Sequence, residues 1–258
     1  MIMINDHITE EEVIHLDSGF FFGLGVFETI LVKNNQPILL KEHLDRLNAG
    51  LKILNINKYI EEEYTRDQIK RISTENCAIK ITVSDKNTLF SKREIIYQKE
   101  DYQKGFSLKI SNIRRNPRSH ITYIKSTNYI DNMLEKQKAT EEGFHEVVFL
   151  NNENEITEGS MTNLFFVKEN KIYTPLIECG LLAGVLRSWI INNYEVIQGH
   201  YTLEEVKKSD GVFVTNSLVG IMKVVQIEDA QVNTSAIVNE IQIEYRKFLE
   251  VNNCESEN

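Results

Sequence analysis

The hydrophobic pattern of residues 1–111 combines short apolar runs with helical periodicity. Four leucines recur at helical spacing between Lys41 and Leu54, with polar residues between them, which predicts an amphipathic helix. A second, more charged helix is predicted from Tyr59 to Ser73. Apolar and β-branched runs predict strands at 1–4, 26–33, 77–84, 93–97 and 106–111. We therefore expect a sheet with helices packed on it.

The pattern after residue 122 has many short apolar runs and few helical periods. A helix is predicted over 126–142 because Gly143 follows it as a typical C′ residue. Further helices are predicted at 185–193 and 234–250, and strands at 146–150, 163–167, 171–173, 210–215 and 219–226. Many strands with few helices predict a barrel-like domain.

A change of character between the two patterns predicts a domain boundary. Residues 112–119 (NIRRNPRS) are polar and basic and include Pro117. We expect an α+β protein with a small α/β domain at 1–111, a linker at 112–121 and a larger barrel-like domain at 122–258.

Composition narrows the classes of function. The chain has 258 residues, 41% of them apolar, and a net charge of −9, which argues against nucleic acid and anionic membranes as partners. No apolar run reaches the length of a membrane span, and the N-terminus has no visible signal peptide. The cysteines Cys77, Cys179 and Cys254 are odd in number and far apart, and the six histidines lack metal-ligand spacing. We expect free thiols in a cytoplasmic protein and no metal.

Lys125 is the first candidate for chemistry. It follows the extended, partly apolar run 120–124 and stands where a helix is predicted to begin. A lysine whose stem is packed and whose amine is desolvated becomes a nucleophile for carbonyls, as in a Schiff base with pyridoxal phosphate (PLP). The alternative is an ordinary solvated surface lysine.

Glu158 is the second candidate, since the Glu158-Gly159 pair lies between a turn and a strand. A single carboxylate in this setting is usually a solvent-facing turn residue. The functional alternative is a carboxylate that keeps a pyridine nitrogen protonated, so that the ring can accept electrons.

Three features favour binding of an anion in this acidic chain. Arg46 lies on the polar side of its helix, where a surface pair with Asp45 or Glu42 is the alternative. Residues 184–186 open a predicted helix, whose N-terminus offers free N–H groups. Residues 215–217 (TNS) follow a buried strand and add hydroxyl and amide donors.

Two further motifs have simpler interpretations. The sequence Gly23-Leu24-Gly25 lacks the third glycine of a dinucleotide-binding loop, because Glu28 stands at that position. Arg114 and Arg115 are solvated linker charges or, in a crevice, contacts for a substrate carboxylate.

Six ordered blocks, which span most of the chain, resemble the fold-type IV PLP enzymes. That family includes branched-chain aminotransferases, D-amino acid aminotransferases and 4-amino-4-deoxychorismate lyases. The blocks are 19–29 (GFFFGLGVFET), 42–47 (EHLDRL), 125–129 (KSTNY), 158–165 (EGSMTNLF), 182–187 (LAGVLR) and 215–220 (TNSLVG). The resemblance implies PLP as cofactor, a small α/β sandwich with a larger pseudo-barrel domain, and a homodimer.

The resemblance also implies roles for individual residues. Lys125 resembles the Schiff-base lysine, and Glu158 the partner of the pyridine nitrogen. Tyr129 resembles the tyrosine near the cofactor's phenolic oxygen. The cofactor's remaining contacts, chiefly to its phosphate, are expected from Arg46, Val185, Leu186, Asn216 and Ser217.

Within the family, the sequence is most similar to the lyases. Residues 27–29 (Phe-Glu-Thr) and 216–218 (Asn-Ser-Leu) are lyase-like, and Leu186 replaces a threonine common in aminotransferases. Lys223 and Val219 depart from the usual lyase residues, which are proline and methionine.

The expected reaction converts 4-amino-4-deoxychorismate to 4-aminobenzoate and pyruvate, a step towards folate. Lys125 is expected to act as the base, with Lys125 or Thr29 supplying a proton and Arg114 or Arg115 binding a substrate carboxylate. The alternatives are an aminotransferase for D-amino or branched-chain amino acids, and a non-catalytic scaffold that binds partners.

Overall fold

A computed structural model of the protein describes residues 2–11, 13–73 and 75–251, so Cys254 lies outside the described residues. The chain forms two compact units. Unit 1 comprises Met1–Ile96, Ile124–Asn128 and Phe248–Asn258, and unit 2 comprises Tyr97–Tyr123 and Tyr129–Lys247. Within the described ranges, none of the helices combines the length and apolar character needed to cross a bilayer.

Unit 1 is a six-stranded sheet covered by helices. Its sheet has the strand order β2-β1-β6-β5-β3-β4. Its elements are β1 (Ile2–Ile4), β2 (His7–Thr9), α1 (Ser18–Phe22), β3 (Gly25–Lys33), β4 (Gln36–Pro37), α2 (Leu40–Ile53), α3 (Glu62–Ile72), β5 (Cys77–Ser84) and β6 (Thr88–Arg93).

The core of unit 1 lies between β3, β5 and α2. Leu44, Leu47 and Leu51 on one face of α2 are buried against Ile30 of β3 and Ile79 of β5. The leucine spacing thus becomes a buried stripe, as the sequence predicted. Removing one of these side chains typically costs about 2–5 kcal/mol of stability.

Unit 2 contains the second sheet, with helices α4 to α8. Its strands are β7 (Phe106–Arg115), β8 (Glu146–Asn151), β9 (Ile156–Gly159), β10 (Asn163–Lys168), β11 (Lys171–Pro175), β12 (Val196–Gly199), β13 (Gly211–Asn216), β14 (Gly220–Ile227) and β15 (Ala230–Gln231). Its helices are α4 (Lys99–Lys104), α5 (Ile130–Glu141), α6 (Val185–Asn193), α7 (Leu203–Lys207) and, as far as Lys247, α8 (Ala236–Val251).

Six strands of unit 2 close into a ring. The order β10-β13-β14-β7-β8-β9 is closed because Glu158 of β9 also pairs with Asn163 of β10. Strands β11 and β12 extend from β10, and β15 pairs with β14. The interior is filled by apolar side chains such as Phe166, Val212 and Met222. The predicted α+β class and the barrel-like second domain are therefore confirmed.

The boundary between the units differs from the predicted boundary at residue 111. Residues 112–115, predicted as a linker, continue β7, because Arg114 and Arg115 pair with Leu150 and Asn151 of β8. The whole of β7 belongs to unit 2, including 106–111. Polar composition concealed this strand, since residues 112–114 are exposed.

Two predicted elements have different bounds in the structure. Helix α5 begins at Ile130 rather than at Ser126, because Ser126 forms a bridge with Val26 and Thr127 donates its N–H to Gly25 O. Strand β6 ends at Arg93, where the sequence predicted a strand to begin. Its register is set by antiparallel pairing with β5, a long-range constraint that local composition does not reveal.

Candidate active site

Lys125 is held against the start of β3 in unit 1. The N–H of Phe27 donates to Lys125 O at 2.9 Å, and Val26 bridges with Ser126. Nζ of Lys125 lies 4.4 Å from the ring centroid of Phe27, a cation–π distance. The lysine is half-buried and lies in an irregular segment rather than at a helix start. Residues 120–123, expected as an extended run that packs this lysine, instead form a 3₁₀ turn with no buried residue, so packing of the Lys125 stem stays a prediction.

Alternation along β3 gives its residues two faces. Phe27 and Thr29 point to the same side, and Glu28 points to the other. Lys80 of β5 pairs with Thr29, and its Nζ also lies 4.4 Å from the Phe27 ring centroid. Thr29, which is half-buried, thus shares its side of the sheet with Phe27 and two lysine amines.

Glu28 and Arg46 form a buried ion pair on the other side of β3. Arg46 Nε donates to Glu28 Oε1 at 2.6 Å, and Arg46 Nη2 donates to Glu28 Oε2 at 2.7 Å. His43 Nδ1 lies 2.6 Å from Glu28 Oε2. The Arg46 side chain is 18% exposed, and the Glu28 carboxylate is fully buried. The alternative partners Asp45 and Glu42 are not the ones that orient Arg46.

The pKa values in this cluster follow from burial and charge. Burial raises the pKa of Glu28, but Arg46 and His43 outweigh it and hold that pKa at about 2. Burial lowers the pKa of His43. The nearby cations Arg46 and Lys125 lower it further, whereas Glu28 raises it. We conclude that Glu28 is ionised and that neutral His43 donates from Nδ1 to it.

Glu158 stands at the end of β9 in unit 2 with a well-defined set of partners. Its Oε2 accepts the backbone N–H of Leu182 at 2.9 Å, and its Oε1 lies 3.2 Å from Nη2 of Arg115. The side chains of Glu158 and Arg115 are 10% and 13% exposed. Glu158 is therefore a buried, oriented carboxylate and not a solvent-facing turn residue.

The two arginines predicted as substrate contacts occupy different environments. The guanidinium carbon of Arg115 lies 3.9 Å from the ring centroid of Phe149, so Arg115 is stacked as well as paired with Glu158. Arg114 is exposed, and its Nη2 donates to Asn154 Oδ1 at 3.1 Å. Arg115 is thus paired with the Glu158 carboxylate, and Arg114 lies on the surface.

Glu146 supports the segment after Glu158, and sequence analysis did not identify it. This carboxylate is 2% exposed and accepts hydrogen bonds from the N–H groups of Ser160 and Met161 and the hydroxyls of Ser160 and Thr162. The sequence did contain a signal for this role, a glutamate within the apolar run 146–150 (EVVFL). A carboxylate buried with such a run needs several hydrogen-bond donors.

The start of α6 offers backbone N–H groups beside Asn163. Gly184 is the N-cap and has no side chain to satisfy them. Asn163 Nδ2 donates to Leu182 O at 2.9 Å, and a Cβ on Gly184 would overlap Asn163 Oδ1. Val185 and Leu186 are the first helical residues and are buried. The glycine is therefore required for the close approach of this turn to β10.

Residues 215–217 lie next to the same asparagine. Thr215 pairs with Asn163 across β13 and β10, and its buried Oγ1 has no hydrogen-bond partner among the described residues. Asn216 Oδ1 accepts the N–H groups of Leu218 and Val219 at 2.9 and 2.7 Å, so this side chain shapes the turn that contains Ser217. Unit 2 thus brings Glu158, the α6 N-terminus and residues 215–217 together around Asn163. Tyr129 also belongs to unit 2, where it is the N-cap residue of α5.

Comparison with known proteins identifies the family. The model of the amino-transferase class IV family matches residues 25–227. The chain belongs to this family. The match includes Lys125, Glu158 and each of the other candidate site residues predicted from the sequence.

Two curated relatives of this class IV protein have different activities in their names. It is 28% identical to the aminodeoxychorismate lyase of Bacillus subtilis over 282 aligned residues, covering 96% of this chain and 94% of the relative. It is 24% identical to a D-alanine aminotransferase of Listeria monocytogenes, covering 90% of this chain and 89% of the relative.

Solved structures share the fold. A putative 4-amino-4-deoxychorismate lyase from Legionella pneumophila superposes with a TM-score of 0.84 at 25% identity, covering 92% of this chain and 96% of that one. The branched-chain aminotransferase of Thermoproteus uzoniensis, solved with norvaline, superposes with a TM-score of 0.86 at 21% identity, covering 98% of this chain and 95% of that one. The second likeness shows the fold alone.

Proposed function

We propose that this class IV protein is a PLP-dependent lyase that converts 4-amino-4-deoxychorismate to 4-aminobenzoate and pyruvate. The observation that carries the proposal is the likeness to the aminodeoxychorismate lyase of Bacillus subtilis across 96% of this chain. The lyase-like residues 27–29 and 216–218 add to it.

The donor set of unit 2 suits a phosphorylated ring with a basic nitrogen. The start of α6, the Ser217 hydroxyl and the Thr215 hydroxyl are donors of the kind that a phosphate needs, and the Thr215 hydroxyl has no partner in the described part of the chain. The oriented carboxylate of Glu158 suits a protonated pyridine nitrogen. We assign the phosphate to Val185, Leu186 and Ser217, with Asn216 shaping the turn, and the ring nitrogen to Glu158. The resemblance adds Arg46 to the phosphate contacts, although Nε and Nη2 of Arg46 are bound to Glu28 in unit 1.

Lys125 and Tyr129 are the remaining residues that we assign to the cofactor. Nζ of Lys125 would hold the cofactor's carbonyl carbon, because the side chain is half-buried and its amine lies against the ring of Phe27, on the same side of the sheet as Thr29. Tyr129 is assigned to the cofactor's phenolic oxygen. PLP supplies an electron sink for the carbon next to the substrate's amine.

The protein's own residues move the protons. In the proposed reaction, released Nζ of Lys125 removes the proton from C4 of the substrate. Cleavage of the C3–O bond makes the ring aromatic. Nζ of Lys125 or Oγ1 of Thr29 donates a proton to the departing enolpyruvyl group, which leaves as pyruvate. No oxidant or reductant is needed, since the step is an elimination.

Arg115 has a positioning role in this proposal. Its ion pair with Glu158 and its stacking on Phe149 fix the direction of the Glu158 carboxylate. Of the two arginines expected to bind a substrate carboxylate, Arg114 is then the remaining candidate, and its side chain is exposed.

An aminotransferase is the second candidate, and the likeness to the Listeria monocytogenes D-alanine aminotransferase favours it. It would use Lys125 and Glu158 in the same places and differ in the residues that receive the substrate. Thr29 is the residue that we connect with elimination rather than amino transfer.

We propose a homodimer in the cytoplasm as the working form. Helix α1 presents three phenylalanines that are between 60% and 72% exposed in the single chain, Phe20, Phe21 and Phe22. Contiguous apolar surface of this kind is typical of protein interfaces. Cys77 and Cys179 are buried free thiols, which suits a reducing compartment.

The experiment that tests the function compares the two reactions in one preparation. Purified protein is given 4-amino-4-deoxychorismate, and separately D-alanine or a branched-chain amino acid with 2-oxoglutarate. We expect 4-aminobenzoate to form at a rate that exceeds amino transfer by at least about 100-fold. Faster amino transfer than 4-aminobenzoate formation would instead support the second candidate.

A further inference from the structure

Three segments of unit 2 converge outside the proposed active site. Glu155 precedes β9, Cys179 ends the 3₁₀ turn Ile177–Cys179, and His200 follows β12. Backbone contacts join these segments: Glu155 bridges with Thr202, and Leu176 N donates to Gly199 O at 3.0 Å. The three side chains are therefore carried on backbone that other interactions already fix.

The side chains bring three metal-ligating atoms together. His200 Nδ1 lies 3.0 Å from Glu155 Oε2 and 3.5 Å from Cys179 Sγ. A nitrogen, a sulfur and a carboxylate oxygen of the three residues all lie within 4.8 Å of one another. Sequence analysis did not detect this group and predicted no metal, because its members are far apart along the chain.

The geometry excludes a nucleophilic Cys–His–Glu triad. In such a triad the thiol and the carboxylate contact opposite ring nitrogens, so that a proton passes through the imidazole. Here the same atom, Nδ1 of His200, faces both Cys179 and Glu155. Convergence on one point is instead the arrangement of ligands around a metal ion.

Two of the separations, from His200 Nδ1 to Cys179 Sγ and to Glu155 Oε2, are close to those of a tetrahedral zinc site. Zn–S bonds of about 2.3 Å and Zn–N or Zn–O bonds of about 2.0 Å place S and N about 3.6 Å apart and N and O about 3.3 Å apart. The observed distances of 3.5 and 3.0 Å need only small side-chain movements. Thiolate, imidazole and carboxylate are all established zinc ligands.

We propose that Glu155, Cys179 and His200 bind a divalent transition-metal ion such as Zn²⁺, with a fourth position for water. His200 is 57% exposed, which gives the ion a path from solvent, and Cys179 is buried. Asn151 supports two of the ligands: its Nδ2 donates to Glu155 Oε2 at 2.8 Å and to Cys179 O at 3.2 Å.

The proposed ion would join the segments that flank Glu158 and Leu182. Glu155 lies three residues before Glu158, and Cys179 lies three residues before Leu182, which donates to Glu158. A thiol binds a metal ion as its thiolate, so the ion must displace the proton of Cys179. We infer a structural role, separate from the PLP chemistry.

The test is metal binding by the untagged holoenzyme after treatment with a chelator and removal of free PLP. Zn²⁺ is titrated by calorimetry, and Co²⁺ is followed by its red-region d–d bands, which lie away from cofactor absorbance. The chain carries Cys254→Ser throughout to remove one other thiol. His200→Ala and Cys179→Ser are compared with His120→Ala, an exposed histidine of the same unit.

We expect one Zn²⁺ per chain and tetrahedral Co²⁺ bands in the parent and in His120→Ala. His200→Ala and Cys179→Ser should lose more than about 100-fold in affinity, because even outer-shell partners of a metal are worth about 10- to 100-fold. If Cys179→Ser does not fold, the exposed His200→Ala variant decides. Absence of stoichiometric Zn²⁺ binding in the parent, or equal binding in His200→Ala, overturns the site and leaves a hydrogen-bonded cluster only. Neither result depends on lyase activity.

Discussion

Nη2 of Arg115 lies 3.2 Å from Oε1 of Glu158, and both side chains are almost completely buried. The pair connects the end of β7 with the end of β9, two strands of the closed ring. A carboxylate held in this way keeps a fixed direction. The ion pair therefore favours a role for Arg115 in orienting Glu158. A direct contact between Arg115 and a substrate carboxylate is the alternative role.

Replacement of Arg115 by methionine should lower kcat by about 10- to 100-fold, because a misplaced Glu158 costs catalysis even without loss of substrate binding. PLP should also bind more weakly, which a titration of the apoenzyme measures. If Arg115 instead bound the substrate carboxylate, its replacement would raise KM with little change in PLP affinity. Arg114→Met, which removes the proposed substrate contact, should raise KM, keep kcat within about twofold and leave PLP affinity unchanged. If the two variants behave alike, the positioning role of Arg115 is wrong.

Glu28 should contribute a pH-dependent part of the stability. Its pKa is lowered from 4.5 to about 2 in the folded protein, so the stabilisation is complete above about pH 4.5 and disappears as the pH falls towards 2. The shift corresponds to a contribution on the order of 3 kcal/mol at neutral pH.

Glu28→Gln should therefore lower the free energy of unfolding by roughly 3 kcal/mol at pH 7 and by less at pH 3. Urea denaturation of the apoprotein at both pH values measures this difference. Glu42→Gln, an exposed position on α2, should have little effect. A loss that stays constant between pH 7 and pH 3 would show that ionisation of Glu28 is not its cause.

Gly184→Ala should weaken PLP binding by at least about tenfold, which is about 1.4 kcal/mol. The new Cβ would overlap Asn163 Oδ1 and push the start of α6 away from β10. Equilibrium titration with PLP measures the effect. Gly143→Asn is the control, since Gly143 has φ of +86° and open space around its Cβ position. Unchanged PLP affinity in Gly184→Ala would argue against the assigned phosphate site.

Local periodicity predicted much of this fold, and long-range pairing accounts for what it missed. Helix α6 and strand β5 have the predicted bounds, because their apolar pattern and their flanking turns agree. Residues 126–127 were predicted to open a helix, but Ser126 bridges with Val26 of β3 and Thr127 N donates to Gly25 O. Residues 112–115 look like a linker but complete β7.

The candidate site was predicted by residue type and not by geometry. The anion-friendly start of α6 follows from local sequence. The burial of Glu158 does not, because a lone carboxylate beside a turn is usually solvent-facing. The pairings Arg115–Glu158 and Arg46–Glu28 join residues 43 and 18 positions apart, so only the folded chain brings them together. The same holds for Glu146 and for the group Glu155, Cys179 and His200.

Helix α1 supplies a prediction about assembly. Asp17 fixes this helix through its N-cap bond to Phe20 N and through Ser84 Oγ, so the exposed phenylalanines are held in place. The double replacement Phe21→Ser with Phe22→Ser should convert a dimer to a monomer in light scattering after gel filtration. Tyr59→Ser, at a residue that is 71% exposed, should stay dimeric. A dimer that survives the double replacement would exclude α1 from the interface.

The central claim is that Lys125 carries the chemistry of a lyase, and one measurement tests it most directly. Formation of 4-aminobenzoate and pyruvate from 4-amino-4-deoxychorismate is followed in PLP-loaded wild type, Lys125→Ala and Lys80→Ala. Lys80 is the matched control, because its Nζ lies at the same 4.4 Å distance from the Phe27 ring. We predict equal amounts of the two products, a loss of at least about 1,000-fold in Lys125→Ala and a change of less than about tenfold in Lys80→Ala. Undiminished product in Lys125→Ala, or none from the PLP-loaded wild type, would contradict the account.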